Sequence, residues 1–404
     1  MKILLLLIAV ALLASGVNAQ WVSNGPDSAV VECLAVSGTS VFAGTVREGI
    51  FLSTDSGGSW TAVNTGLPFG SFAYVSSMAV SNANVFAGTV GGGIFLSTNN
   101  GGSWSAVNTG LTTNRVFALM VYGPSVFAST DSGVFISNNN GGNWSAANSG
   151  ITRNVGSFAS GNGIIYAATD TTVYSSTNSG SSWTAATDTG IFGTPFYSLA
   201  VSGQQLYSGT YSGGVFLSYD NGDNWITEST FLPLVGYVSS IVFYNDTNIF
   251  VSEYGGGVYF ITTTDIDSSY GGWNQVGNVL PNAGVSSLAV MGNYLFAGTA
   301  GSGVWQFYLP TIIFDGIPEV SAPVNGEFSL YPNPNSVGIV RCVVGNELLD
   351  GKMEIYDLAG QLVLSQTIEN SKTGIDVSTL AAGMYVVNVT GATETESRKL
   401  VIAK

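Results

Sequence analysis

Apolar residues in this chain fall in short runs of three to five, each closed by Gly, Ser, Thr or Asn, and the runs come back in the same order again and again. Seven phrases resemble Val-Phe-Ala-Gly-Thr: Val41–Thr45, Val85–Thr89, Val126–Thr130, Ile165–Thr169, Leu206–Thr210, Ile249–Glu253 and Leu295–Thr299. An apolar strand such as Met78-Ala79-Val80 precedes each, and a Gly-rich turn with a short apolar strand such as Gly213-Gly214-Val215-Phe216-Leu217 follows. Five repeats then continue as Ser-x-Asp/Asn-x-Gly-x-x-Trp, ending at Trp60, Trp104, Trp144, Trp183 and Trp225, which stand 44, 40, 39 and 42 residues apart. Each repeat therefore predicts four short strands separated by turns, at the period of a propeller blade.

Two repeats depart from the rule. The sixth replaces the Trp pattern with a longer stretch, Thr264 to Trp273, and the seventh stops after Val304-Trp305-Gln306-Phe307. Gln20-Trp21-Val22-Ser23-Asn24-Gly25 resembles the segment around Trp60, so the N-terminal strand is expected to complete the seventh blade, removing two exposed sheet edges. The expected fold is all-β: a seven-bladed propeller over residues 20–309, closed by its N-terminal strand. Pro310, Pro318 and Pro323 then mark a linker over 310–326. Alternating strands over 327–404 predict a small Ig-like β-sandwich.

The Trp pattern has local chemistry. Side chains of Ser53, Asp55 and Asp220, and of Asn99, Asn139 and Asn178, are placed to accept from turn amides; Gly57 and its equivalents supply a positive φ, and the Trp packs between blades. The pattern resembles the Asp-box, or BNR repeat, of sialidases, sortilin and Vps10 receptors, two-propeller xyloglucan hydrolases and photosystem II assembly factors. The resemblance implies that these residues form the hairpin between third and fourth strands and are structural, not catalytic.

Composition narrows the function. Charged residues are 9% of the chain, the net charge is −15 and there is no histidine, so imidazole-based acid–base, triad and metal chemistry is excluded. Between Gln20 and Leu309 the only cations are Arg47, Arg115 and Arg153, too few for a nucleic-acid surface. Lys2, the apolar run Ile3–Leu13 and Val17-Asn18-Ala19 read as a secretory signal over residues 1–19, with no further span expected. Cys33 and Cys342 fall in different predicted domains and are read as separate thiols. Asp265-Ile266-Asp267 and Asp220-Asn221-Gly222-Asp223 lack the downstream Glu of a calcium loop; neither a metal nor another cofactor is expected.

The last segment carries three motifs in order: Tyr331-Pro332-Asn333-Pro334, then Tyr356-Asp357-Leu358-Ala359-Gly360, then Leu380-Ala381-Ala382-Gly383-Met384-Tyr385 before the basic strand Arg398–Lys404. From Phe328 to Lys404 it is similar to the type A C-terminal sorting domain of the Bacteroidota type IX secretion system. That resemblance implies export through the periplasm, partnership of residues 327–404 with the secretion machinery and its sortase, and a product that is released or attached to the surface.

Propeller ligands sit where the loops between second and third strands meet the crossovers between blades. At one equivalent loop place stand Val46, Val90, Asp131, Asp170, Tyr211, Tyr254 and Ala300, and the crossovers add Phe69, Phe72, Tyr74, Arg115, Arg153, Phe192, Phe196, Tyr197, Phe231 and Tyr237. Such a surface suits an extracellular glycan or protein, with Tyr211, Tyr254, Arg115, Arg153, Glu48 and Glu253 as ligand contacts. The alternative is a glycoside hydrolase or lyase using Asp131 and Asp170 as its acid and base or nucleophile, with Glu48 or Glu253 as substitutes. The relatives lend little to it. A sialidase needs a three-Arg clamp and an Arg-Ile-Pro signature that is missing here, a xyloglucanase cleft needs two propellers, and the photosystem factors carry an arginine-rich patch.

Overall fold

The computed structural model describes residues 20–68, 74–191, 194–212, 214–229, 232, 236–245, 247–262, 272–277, 280, 284–309, 328–331, 339–344, 348–368, 372–391 and 395–402. The expected signal (1–19), the linker (310–326), Phe69, Phe72, Phe192, Phe231, Asp265 and Asp267 lie outside them. No helix among the described residues is long and apolar enough to cross a membrane.

The described residues from Trp21 to Leu309 form seven four-stranded antiparallel sheets. Sheet one runs Val31–Ser37, Ser40–Thr45, Ile50–Ser53 and Thr61–Ala62, and sheets two to six repeat that order along the chain. Sheet seven takes three strands, Val285–Met291, Tyr294–Thr299 and Val304–Tyr308, from the end of this region and its fourth, Val22–Gly25, from the beginning. The first strand of every sheet packs on the first strand of the next, and the strand Val285–Met291 packs on Val31–Ser37, so the sheets close into a ring.

The Val-Phe-Ala-Gly-Thr phrase is the second strand, and in sheet one all six of its residues are buried. Its aromatic residue fills the space between sheets: Phe42, Phe86, Phe127, Tyr207, Phe250 and Phe296 are fully enclosed. The glycine serves close approach. A Cβ on Gly44 would meet the Val75 side chain at 2.7 Å, one on Gly88 would meet Val116 at 2.6 Å, and one on Gly298 would meet Val31 at 2.6 Å, each Val opening the first strand of the following sheet. Bare backbone at that position sets how near adjacent sheets come.

The five Ser-x-Asp/Asn hairpins share one hydrogen-bond pattern. In sheet one Ser53 Oγ donates to Asp55 Oδ1 at 2.8 Å and accepts from Gly57 N, while Asp55 Oδ1 also accepts from Ser59 N at 2.9 Å. Asn99, Asn139, Asn178 and Asp220 accept in the same way. The hydrogen bonds from Ser59 hold the Asp55 carboxyl down to about 2, so it stays ionised as a turn acceptor. Gly57 sits at φ 85, a value that a side chain rarely tolerates.

Three of the hairpin Trp residues then latch neighbouring outer strands together. The indole nitrogens of Trp104, Trp144 and Trp183 donate to the carbonyls of Val63, Val107 and Ala147 in the preceding sheet, at 2.7 to 2.8 Å. Trp21 does the same to Val276 at 2.9 Å, and Trp273 to Glu228, although neither lies in a Ser-x-Asp hairpin. Trp21 is 6% exposed and meets Phe307 edge-on. Trp21→Ala is expected to lower unfolding free energy by about 3 to 5 kcal/mol in guanidinium titration, since it removes a core aromatic and the latch together.

Asn64 and Asn108 cap the third strand of their own sheets, accepting from Ile50 N and Ile94 N at 2.7 Å; in sheet four Asp188 takes that place, accepting from Val173 N at 3.4 Å. Burial pushes the Asp188 carboxyl up to about 6, and its φ of 50 is one that Asn adopts more readily. A raised carboxylic acid favours the folded state only when protonated, so its ionisation costs stability as pH rises from 3.8 through about 6. Asp188→Asn should therefore raise the melting temperature at pH 7 and gain little at pH 4, as followed by thermal unfolding at both pH values.

Residues 328–402 form two further sheets, of three and four strands. They share one core, including Phe328, Cys342, Met353, Ile355, Val387 and Leu400, that contains no propeller residue. Cys33 and Cys342 are both free thiols.

Candidate functional site

A β-bulge opens the first strand of six of the seven sheets, inserting one residue between the two that pair with the second strand. The bulged residues are Glu32, Ser76, Phe117, Tyr197, Ser239 and Ser286. A bulge re-aims its side chain and raises local twist. The three serines use this to join sheets: Ser76 Oγ donates to Val116 O at 2.6 Å, Ser239 Oγ to Val285 O at 2.6 Å, and Ser286 Oγ to Val31 O.

Glu32, Phe117 and Tyr197 are excused from that bond because a neighbour makes it. Cys33 Sγ approaches Val75 O at 3.7 Å, Ser129 Oγ donates to Val155 O, and Ser198 Oγ donates to Val238 O at 2.9 Å. Three large side chains are thereby released at the end of the ring where the second-to-third loops and the crossovers also lie. Val46 N and Val90 N bond to Val30 O and Tyr74 O, and Tyr211 N and Tyr254 N to Pro195 O and Tyr237 O, which pins loop to crossover within each sheet.

Five tyrosines gather here. Tyr237 lies between Tyr211 and Tyr254 in a parallel stack, with ring centroids 6.0 and 4.8 Å away and planes within 10°. Tyr197 packs on Tyr237 at 4.1 Å. Tyr211 is 56% exposed, Tyr197 43% and Tyr254 36%, so the stack faces solvent. On sheets one and two, the Tyr74 hydroxyl hydrogen-bonds the half-buried Glu32 carboxyl. The two groups sense each other electrostatically: Glu32 acts on Tyr237, and Tyr197 on Tyr74. Burial pushes both Tyr74 and Tyr237 well above the usual phenol range, so both remain neutral hydrogen-bonding groups. Burial likewise raises the Glu32 carboxyl.

The other expected contacts are placed differently. Asp131 is exposed at its loop, and Asp170, also exposed, is bound by Arg153, whose Nη1 lies 3.1 Å from Asp170 Oδ2. Both carboxylates therefore face solvent, and one is held by a guanidinium. Arg115 lies 5.7 Å over the Phe117 ring, and Glu48 is exposed, its amide bound to Thr45 Oγ1. Glu253 corrects its expectation as a surface ligand contact. It occupies the threonine place of its repeat and is fully buried, with Gly236 N donating to Oε1 at 3.4 Å. Asp220 serves the hairpin of sheet five, Asp223 Oδ1 accepts from Thr187 N beside the outer strand of sheet four, and no group of three or more metal-ligating side chains occurs among the described residues.

Glu32 was not among the residues picked out from the sequence. Its signal was present: the repeat reads Val-Ser-Ser at Val75, Val238 and Val285, and Val31-Glu32-Cys33 breaks it.

Residues 329–403 match the family described as the secretion system C-terminal sorting domain. The chain carries a type IX secretion sorting domain. Such domains mark proteins exported to the cell surface or the extracellular space. Comparison with curated proteins returns no match. Among solved structures, YCF48 bound to a D1 peptide is similar at 13% identity and a TM-score of 0.59, covering 72% of this chain and 94% of that one. PorZ, a surface component of the type IX system of Porphyromonas gingivalis, aligns at 17% identity and TM-score 0.53, over 92% of this chain and 59% of its own. The WD40 propeller of Doa1 aligns at 16% identity and TM-score 0.54, over 71% and 95%. At these identities the likeness establishes the propeller fold.

A raised carboxyl at Glu32 means that its ionised form costs stability at neutral pH and that the cost fades as pH falls through the raised value towards the usual 4.5, below which it is gone. Glu32→Gln, which keeps an acceptor for Tyr74, is expected to raise the melting temperature at pH 7 more than at pH 4, as read by differential scanning calorimetry.

Proposed function

We propose that the protein is an exported recognition module that holds an extracellular ligand, glycan or protein, at the tyrosine-lined mouth of the propeller ring. Residues 1–19 act as the export signal, 20–309 bind the ligand, and 327–404, after the 310–326 linker, address the chain to the secretion machinery and its sortase. The observation that carries this reading is the solvent-facing stack of Tyr211, Tyr237 and Tyr254 with Tyr197 against it. Monomeric proteins seldom leave clustered aromatic surface open without a partner, and tyrosine offers both an apolar face and a hydroxyl. The solved YCF48 complex lends support, being a propeller of this kind with a peptide bound.

The competing reading, glycoside cleavage by Asp131 and Asp170, lacks an enclosed carboxylate pair. A screen of the mature protein on arrayed glycans and surface polypeptides tests both. Tyr211→Ala with Tyr254→Ala is expected to weaken capture by about tenfold or more, since aromatic stacking contributes about 0.5 to 1.5 kcal/mol per ring beyond the area buried. Asp131→Asn and Asp170→Asn should leave capture intact, and no turnover of polysaccharide should appear. Multiple-turnover cleavage abolished by either Asp change would instead establish the enzyme.

A further inference from the structure

Resting on that recognition reading, we infer that the mouth takes a cationic side chain, a lysine ammonium or arginine guanidinium presented by a partner polypeptide, between the Glu32 carboxylate and the exposed tyrosine rings.

The first ground is the position of Glu32. It is the bulged residue of an innermost strand, released from the inter-sheet bond by Cys33, and so aimed at the axis end of the ring where Tyr74, Tyr197 and Tyr237 converge. It is partly buried and hydrogen-bonded by one neutral phenol, Tyr74. Among the described residues the ion pairs are Arg153 with Asp170, Lys352 with Glu354 and Arg398 with Glu396. Of the three propeller arginines, Arg153 is thus engaged, Arg115 lies over Phe117, and Arg47 is exposed on the loop of sheet one and in none of these ion pairs. A partly desolvated carboxylate without a counter-charge gains most from a cation that brings one.

The second ground is the rings. A cation within about 6 Å of a tyrosine face is attracted by the ring quadrupole, more strongly where water is excluded. Tyr237 has both faces covered by its stacking neighbours, whereas Tyr211 and Tyr254 stand at the ends of the stack. A guanidinium suits this best, because its plane can lie along a ring while its edge donates to a carboxylate. The third ground is the charge of the whole: three arginines against fourteen carboxylates between Gln20 and Leu309 make the propeller acidic, which repels anions and draws basic segments in.

The test uses the full chain and three matched eight-residue peptides, identical except for a central arginine, lysine or citrulline, the last being the neutral near-isostere of arginine. Titration calorimetry is expected to show arginine and lysine peptides binding about tenfold or more tighter than citrulline, and Glu32→Gln erasing that difference while its melting temperature is maintained or raised. Equal binding of all three peptides, or an arginine preference that survives Glu32→Gln, overturns the cationic assignment. Neutral oligosaccharides binding in a manner lost with Tyr254→Ala, with no peptide bound, overturn it too but leave the recognition reading standing. Absence of any ligand on peptides, glycans and polypeptide arrays overturns both.

Discussion

Six of the seven seams in the ring are held by a side chain at the inner end of one sheet that reaches for one carbonyl of the next. The acceptors are equivalent valines or their backbone counterparts: Val31, Val75, Val116, Val155, Val238 and Val285. These bonds sit where the strands crowd most, beside the glycines that admit the neighbouring valine, so a donor cannot be deleted without leaving a buried acceptor unsatisfied. Where the donor moves by a residue or to the adjoining strand, the bulge is free to carry something else. Glu32, Phe117 and Tyr197 all arise from that relocation, and the mouth of the ring is built from the exceptions to its own scaffold.

Much of this was legible in the repeat. Period, strand number and the hairpin chemistry follow from Gly, Ser and Trp at set offsets, because those residues act through short-range turn geometry. Even the closing strand could be read, since the segment from Gln20 to Gly25 resembles the one around Trp60. The gathering of Tyr211 and Tyr254 beside Tyr197 and Tyr237 was visible only as membership of one face. Which rings stack depends on twist and crossover path. Glu32 escaped because a bulge breaks alternation at the very residue that matters, so a period-two reading assigns it to the wrong side. Glu253 erred in the opposite sense. A charged residue after an apolar run looks like a loop residue, but here it occupies a threonine's enclosed place. The pairing of Asp170 with Arg153 joins a loop to a crossover, and no local spacing encodes that.

The two parts of the chain meet their stability needs separately. Residues 328–402 build a core around Met353, Ile355 and Val387 that borrows nothing from the seven sheets. The sorting domain's integrity is therefore a local matter, whereas every propeller sheet leans on two neighbours.

Val22 pairs with Gln306, so the bond that closes the ring joins residues from opposite ends of the propeller sequence. Loop-closure entropy makes such a contact late and slow compared with the hairpins inside each sheet. Until it forms, Val304–Tyr308 presents a bare strand edge, open to pairing with another chain, although sheets one and seven already meet through Val31–Ser37 and Val285–Met291.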